Sequence, residues 1–381
     1  MKAGWEVKTL GDVCEEIFAG GDVPKNSFSK IETDEFKIPI YANGEKNKGL
    51  FGYTNKPRIS KPSITISARG TIGYSETRTQ PFYPVVRLIV ITPKKEILDL
   101  SFLQFVINGI DFTHSGTSIP QLTVPMVKEY KIPIPPLPEQ QRIVALLDAA
   151  FASIATAKAN TEQNLKNAHA LFDSYLHEVF SKRGEDWEEK TLGDVLLKTE
   201  TVDPTKKPNN EFIYLDVSSV NKETKEIENP TVLLGKNAPS RARKLVKTND
   251  VIFATVRPTH SRVALITEEY NEQVCSTGYF VLRAKKFINH NLIFYFLLTK
   301  NFNKQMELLQ KGASYPAVTD NEVKGVYINF PKSKNEQEII VNKLNELKIE
   351  TQRLETLYQR KLQALDELKK SLLHKAFNGE L

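Results

Sequence analysis

Few residues in this chain are placed to do chemistry. Asp320, Glu322 and Lys324 give an acid followed by an ExK run, a pattern metal-dependent nucleases use, but no upstream strand supplies the acid that would complete a carboxylate cluster. The same segment, Thr319-Asp320-Asn321-Glu322, has capping-box spacing and is accounted for as the start of a short helix. A GxxxxGK[ST] phosphate loop is missing, as is a GxGxxG element after a strand. No NPPY or DPPY run is present to hold an exocyclic amine for methyl transfer. The six histidines are scattered, and no His/Cys cluster has metal-ligand spacing. The chain is expected to perform no bond chemistry itself.

What remains is binding. Arg58, Lys61, Arg69, Thr71 and Arg78 are interleaved with Tyr53 and Tyr83 in the first half of the chain. Arg241, Arg243, Lys244, Arg257, Thr259, His260 and Arg262, with Tyr315, do the same in the second. Arginine can fork onto guanine in the DNA major groove, while lysine and threonine hold phosphates. Arg69 and Arg257 each close a strand-like run, SITISARG and VIFATVRP, at what look like matching places; a salt bridge to a neighbouring carboxylate is the rival use. Ser118 and Ser314 lie in two GxSxP segments that either contact nucleic acid or simply order a turn. Net charge of +6 and a pI near 8.9 lean mildly toward polyanions.

The elements that must position these residues come in two copies. GWEVKTLGDV at 4–13 returns as DWEEKTLGDV at 186–195, placing both tryptophans of the chain, Trp5 and Trp187, in equivalent positions. GTSIPQLTVPMVK at 116–128 returns as GASYPAVTDNEVK at 312–324. Thr123 and Thr319 each sit where a short helix should start.

A third repeat is the longest. Residues 139–180 contain no Gly or Pro, and Ile143, Leu147, Ala150, Ile154, Ala157, Leu165, Ala168, Phe172, Tyr175 and Val179 recur on a helical period. Its twin spans 336–377, with Leu344, Leu347, Leu354, Tyr358, Leu365, Leu368 and Leu372 on one stripe. Each is a helix of about 63 Å, too long to bury its stripe alone, so the two are expected to pack together. The C-terminus should then return to the neighbourhood of the opening, in a pseudo-cyclic chain with an internal twofold relation.

Between these landmarks lie two bodies of mixed α and β structure. Strands are predicted over 36–44, 63–70, 71–76 and 82–93, then a helix over 99–108 capped by Asp99. The second body offers strands at 212–217, 251–258, 262–267 and 278–285, then helices at 290–298 and 302–310. The fold class is therefore α+β: two α/β domains in pseudo-twofold repeat (1–138 and 181–335), joined by long helices at 139–180 and within 336–381.

Hydrophobic content of 40% and charged content of 26% describe an ordinary folded protein. MKAGWEVKTL lacks a secretory apolar region, and LIFYFLL at 292–298 is too short to span a bilayer. Cys14 and Cys275 suit a reducing compartment, so a cytoplasmic location without membrane contact is expected.

The combination of WxxKTLGDV openings, variable bodies and IPIPPLPEQQRIVALLD at 132–148 running into a long helix resembles the specificity subunit of type I restriction-modification systems. The second copy of the proline run is degraded to FPKSKNEQEIIV at 330–341. The resemblance implies that each body reads half of a split, asymmetric sequence in double-stranded DNA. It implies an antiparallel coiled coil that spaces the bodies and receives two modification subunits, which would bind S-adenosylmethionine and methylate adenine N6. Separate motor and endonuclease subunits would use ATP and Mg; no cofactor is expected on this chain. Two alternatives stand beside it: the specificity subunit of a combined cutting-and-modifying enzyme, and a coiled-coil scaffold that never touches DNA.

Overall fold

The computed structural model describes residues 4–112, 121–182 and 184–381. The chain divides into two units, residues 1–162 with 359–381, and residues 163–358.

In the first unit the opening strand Glu6–Thr9 pairs antiparallel with Lys131–Ile134, so the WxxKT opening lies on the strand that leads into the first long helix. Thr9 then caps a single helical turn, Leu10–Val13: the Asp12 amide donates to Thr9 Oγ1 at 3.3 Å, and the Thr9 amide donates back to Asp12 Oδ2 at 3.1 Å. An antiparallel sheet follows in the order Cys14–Ala19, Ile89–Pro93, Ser63–Ile66, Ser75–Arg78. A smaller sheet is ordered Leu50–Thr54, Ile38–Tyr41, Tyr83–Pro84. Helix Leu100–Gly109 begins at Asp99, whose carboxylate accepts from the Phe102 amide at 2.9 Å. Ile64, Ile66, Ile91, Phe102 and Leu103 make the core with Ile143 and Leu147 of the first long helix and Ala376 of the second. Phe377 meets Phe102 edge-on at 5.9 Å, and Arg142 donates to the Leu381 carbonyl at 2.7 Å, so the C-terminal stretch belongs to this unit.

The second unit repeats the plan. Trp187–Thr191 pairs with Tyr327–Pro331, and Thr191 caps Leu192–Val195. One sheet is ordered Leu196–Leu197, Tyr279–Ala284, Val251–Ala254, Val263–Leu265, the other Thr231–Leu234, Glu211–Leu215, Val274–Ser276, Ala242–Leu245. In helix His290–Leu297 every residue from Leu292 to Leu297 is buried, which accounts for the LIFYFLL run as a helix apolar on all sides. Leu176, Val179 and Phe180, with Ile340, Val341 and Leu344, close this core from the two long helices.

Those helices, Leu137–Ser181 and Lys334–Asn378, have 45 residues each. Both start before Glu139 and Glu336, and Pro138 is tolerated because first-turn amides have no helical partner. In the first unit Lys158 pairs with Asp366; in the second, His169 meets Glu355 at 2.9 Å. Eleven residues forward along one helix match eleven back along the other, which is antiparallel packing. Ile143, Leu147, Ile154, Ala168 and Val179 of the predicted stripe are buried. On the second helix Leu368 is instead exposed, since a single partner covers only part of its circumference. By length and composition alone, the first helix includes a stretch apolar enough to cross a membrane.

The repeated glutamine of the EQ motif has one job in both units. Gln140 is fully buried; its Oε1 accepts the Asp99 amide at 2.8 Å, and its Nε2 donates to Ile97 O at 2.9 Å and Pro135 O at 2.8 Å. Gln337 accepts from the Asn289 amide at 2.7 Å and donates to Phe287 O at 3.0 Å and Pro331 O at 2.8 Å. Each glutamine thus ties its long helix to the cap of the neighbouring short helix.

Two predicted strands change extent. The run 71–76 is bend and turn up to Tyr74, and its strand is Ser75–Arg78 instead. The run 82–93 is not one strand, because a turn at Val86-Arg87 splits it into Tyr83–Pro84 and Ile89–Pro93. Helix Val124–Glu129 starts after Thr123 as expected, without a side-chain cap from that threonine, and Thr319 forms the full box with Glu322.

Candidate nucleic-acid interface

Strand register aligns the two units residue by residue. Ile64 faces Ile91 and Val251 faces Leu282, each two residues before the strand end that pairs with Cys14 or Leu196. The loop beyond agrees, since the Leu122 amide donates to Ala68 O and the Val318 amide to Thr255 O, both at 2.9 Å. Ala68 therefore corresponds to Thr255, and Arg257 to Gly70 rather than to Arg69. Both of these have left-handed backbones, Gly70 at φ 71° and Arg257 at φ 51°. Reading SITISARG against VIFATVRP by eye slips the register by one, which on a strand exchanges faces.

In the first unit Arg69 is exposed, and its Nε and Nη2 both donate to Gln121 Oε1, at 3.0 and 2.5 Å. Arg58 is exposed and stacks over Phe18 at 4.6 Å. Thr71 is exposed two residues after Arg69, and Tyr83 is half-buried in its short strand. Lys61 pairs with Glu15, which raises its pKa. Arg78 departs from expectation: it is 8% exposed, lies 3.6 Å over the Tyr41 ring, and donates to Thr65 Oγ1 at 3.1 Å and Lys48 O at 2.6 Å. Its guanidinium is a core strut and drops out of the interface. Ser118 lies outside the described residues.

In the second unit Arg257 is exposed on a left-handed turn. A left-handed arginine preceding proline is strained by about 1–3 kcal/mol, and the conformation is held by the Arg257 amide donating to Pro316 O at 2.7 Å. The guanidinium lies 5.5 Å over Tyr315, which is 73% exposed. Thr259 and His260 occupy the turn Pro258–His260 that follows, and Ser314 is exposed next to Tyr315. Arg241 is exposed as well. The other three cations are engaged: Arg243 with Ala242 O at 2.8 Å and Asp203 at 3.5 Å, Lys244 with Tyr279 O at 2.6 Å and Asp320 at 2.8 Å, and Arg262 with the Val220 carbonyl. Their charge serves folding.

The nuclease-like triplet resolves the same way. Glu322 accepts Lys311 Nζ at 2.8 Å, the Thr319 amide at 2.8 Å and Thr319 Oγ1 at 2.9 Å, and the lysine foremost among these holds its pKa down to about 2. Asp320 is taken by Lys244. Among the described residues no cluster of His, Cys, Asp or Glu could hold a metal.

Asn43 was not foreseen. Its Oδ1 accepts the Ala68 amide at 2.7 Å and its Nδ2 donates to Val86 O at 2.5 Å, so one amide fixes the turn bearing Arg69 against the turn bearing Arg87. YANG at 41–44 carries a turn signal, but nothing local says which loops it joins.

The family model described as the type I restriction modification DNA specificity domain matches residues 2–167 and again 184–363. The chain belongs to the type I specificity subunit family. A Mycoplasma pneumoniae protein described as a type I specificity subunit is 33% identical over 172 residues, 45% of this chain and 51% of its own length; a second from that organism is 37% identical over 171 residues, 45% of this chain and 47% of its length. The chain thus spans about half the length of these relatives. Two solved structures share the fold over all of this chain. One, from a study of type I system assembly and conformational transition, has a TM-score of 0.76 at 19% identity and is 99% covered. The HsdS subunit of Thermoanaerobacter tengcongensis has a TM-score of 0.64 at 20% identity and is 98% covered.

Proposed function

We propose that this specificity subunit reads a bipartite, asymmetric DNA site, with residues 1–138 and 181–335 as its two recognition domains and the helices within 139–180 and 336–381 as the spacer between them. The observation that carries the reading is a scaffold built twice with different side chains at its strand-end turns. Capping turn, buried glutamine and sheet order repeat, whereas Gly70 in one copy is Arg257 in the other. A shared frame with unlike tips suits independent reading of two unlike half-sites. The proposed contacts are Arg58, Arg69 and Thr71 in the first domain, and Arg241, Arg257, Thr259, His260, Ser314 and Tyr315 in the second.

Two modules on one face of B-DNA need a separation of about 34–36 Å or a multiple of it. Two paired helices of 45 residues are stiff enough to hold such a spacing, and tethering raises the effective concentration of the second module once the first has bound. In this reading the chain is a non-catalytic subunit. Two methyltransferase subunits carrying S-adenosylmethionine would dock along the helices, and ATP- and Mg-dependent motor subunits would join them, in the cytoplasm. Selection of a random duplex library by the assembled complex tests the reading. Two short motifs at a fixed gap are expected, and a library returned without enrichment would refute it.

A further inference from the structure

One turn in the first unit breaks the residue preferences of its own class. At 85–88 the chain reads Val-Val-Arg-Leu, and the Leu88 amide donates to Val85 O at 3.1 Å. Both central residues are left-handed, Val86 at φ 54° and Arg87 at φ 60°. A closed turn with two positive φ values is type I′, the class that favours Asn-Gly, and a β-branched residue there is an outlier. The conformation is imposed by the surroundings. The Val86 amide donates to Gly21 O at 2.8 Å, the Arg87 amide to Gly20 O at 2.9 Å, and the Gly20 amide to Leu88 O at 2.8 Å, while Asn43 holds Val86 O. Any Cβ on Gly20 would stand 2.7 Å from the Pro84 carbonyl, so the clamp requires glycine.

The side chains gain nothing from this arrangement. Val86 is 50% exposed, and the Arg87 side chain is exposed with no hydrogen-bond or ion-pair partner among the described residues. Strain that the surroundings over-determine, under side chains left free, is the signature of a functional tip. Its neighbours are of the same kind. Arg58 Nη1 lies 3.5 Å from where a Gly21 Cβ would stand, and Asn43 links the turn to the one carrying Arg69. In the second unit Phe280 faces Phe253 as Ile89 faces Ile66, which makes Thr277-Gly278 the counterpart of Val86-Arg87. There the glycine is buried against Val217 and is not left-handed. The tip belongs to the first unit alone.

We propose that the Val86-Arg87 turn is a base-reading tip of the first domain, with Arg87 forking onto the O6 and N7 edge of a guanine and Val86 packing on a thymine methyl in the major groove. This rests on the DNA-recognition reading above. The discriminating variant is V86N/R87G, which installs the preferred type I′ pair while deleting both proposed contacts. In the full chain assembled with its methyltransferase subunits, it should raise the melting temperature by about 2–8 °C and cut discrimination at a guanine position of one half-site by about 5- to 150-fold, leaving the other half-site unchanged. R87K, which keeps the charge but not the fork, should lose the same guanine preference with the salt dependence of binding intact. A double variant that selects the same sequences as wild type from a random duplex library would make the turn purely structural and end the proposal. A loss equal on all sequences, with a salt slope lowered by about one, would make Arg87 a phosphate contact and end it too. A wild-type complex that selects no sequence would instead take down the recognition reading itself.

Discussion

Replacing Gln140 tests how the long helix holds its domain. The side chain is fully buried and makes three hydrogen bonds to backbone groups, at 2.8, 2.9 and 2.8 Å. At a net ~1 kcal/mol per bond, with a further penalty for stranded buried partners, Gln140→Ala should cost about 3–4 kcal/mol. Gln140→Glu is nearly isosteric and keeps the acceptor for the Asp99 amide, but it replaces the double donor facing Ile97 O and Pro135 O with a second acceptor. At pH 7 it should therefore destabilise more than alanine does, by about 1–3 kcal/mol further. Burial against carbonyls raises the new carboxyl's folded-state pKa above its unfolded value near 4.3. The Gln140→Glu variant should therefore be most stable below that value and weaken as pH rises through the raised one. Hydrogen exchange of residues 97–109 reads the effect locally, with the second unit as internal control. An alanine variant within about 1 kcal/mol of wild type, or a glutamate variant no worse than alanine at pH 7, would refute the reasoning.

Other expectations follow from the same geometry. Arg257→Gly should relieve the left-handed strain, raising thermal stability, while weakening selection of one half-site by about 1–3 kcal/mol; competition binding with mutated half-sites reads both effects. Arg69→Ala, which has no left-handed strain to relieve, should weaken selection of the other half-site only. Burial pushes the thiols of Cys14 and Cys275 up to about 12, so neither should react with a thiol reagent at pH 8 until the protein unfolds. Glu322, held down to about 2, should contribute fully above its ordinary value near 4.5 and lose its Lys311 and Thr319 contacts as pH falls toward 2, as carboxylate NMR titration would show.

The long helices were legible because their stripe is periodic from end to end and repeated without insertion. Val251–Ala254 was legible as a continuous apolar run, and Ser63–Ile66 from its alternating isoleucines ahead of a Gly turn. Cys14–Ala19, Thr231–Leu234 and Ala242–Leu245 were not, since their sequences CEEIFA, TVLL and ARKL are short or mixed in polarity and are fixed by distant partners. At the site, composition proposes cations but cannot say which are spent. Arg78, Lys244 and Arg262 look like Arg69 in sequence and differ only in what surrounds them. Arg87 was hidden inside FYPVVRLIVITP because its turn carries no Gly or Asn of its own; the glycines that shape it sit at 20 and 21.

The most direct test of the central claim is methylation sequencing of a host carrying this chain with the methyltransferase subunits proposed for it, before and after exchange of residues 14–115 for those of a relative. Modification of two short half-sites at a fixed gap is expected, with only one half-site changing after the exchange. A single continuous motif, a change in both halves, or no modified sequence at all would contradict it.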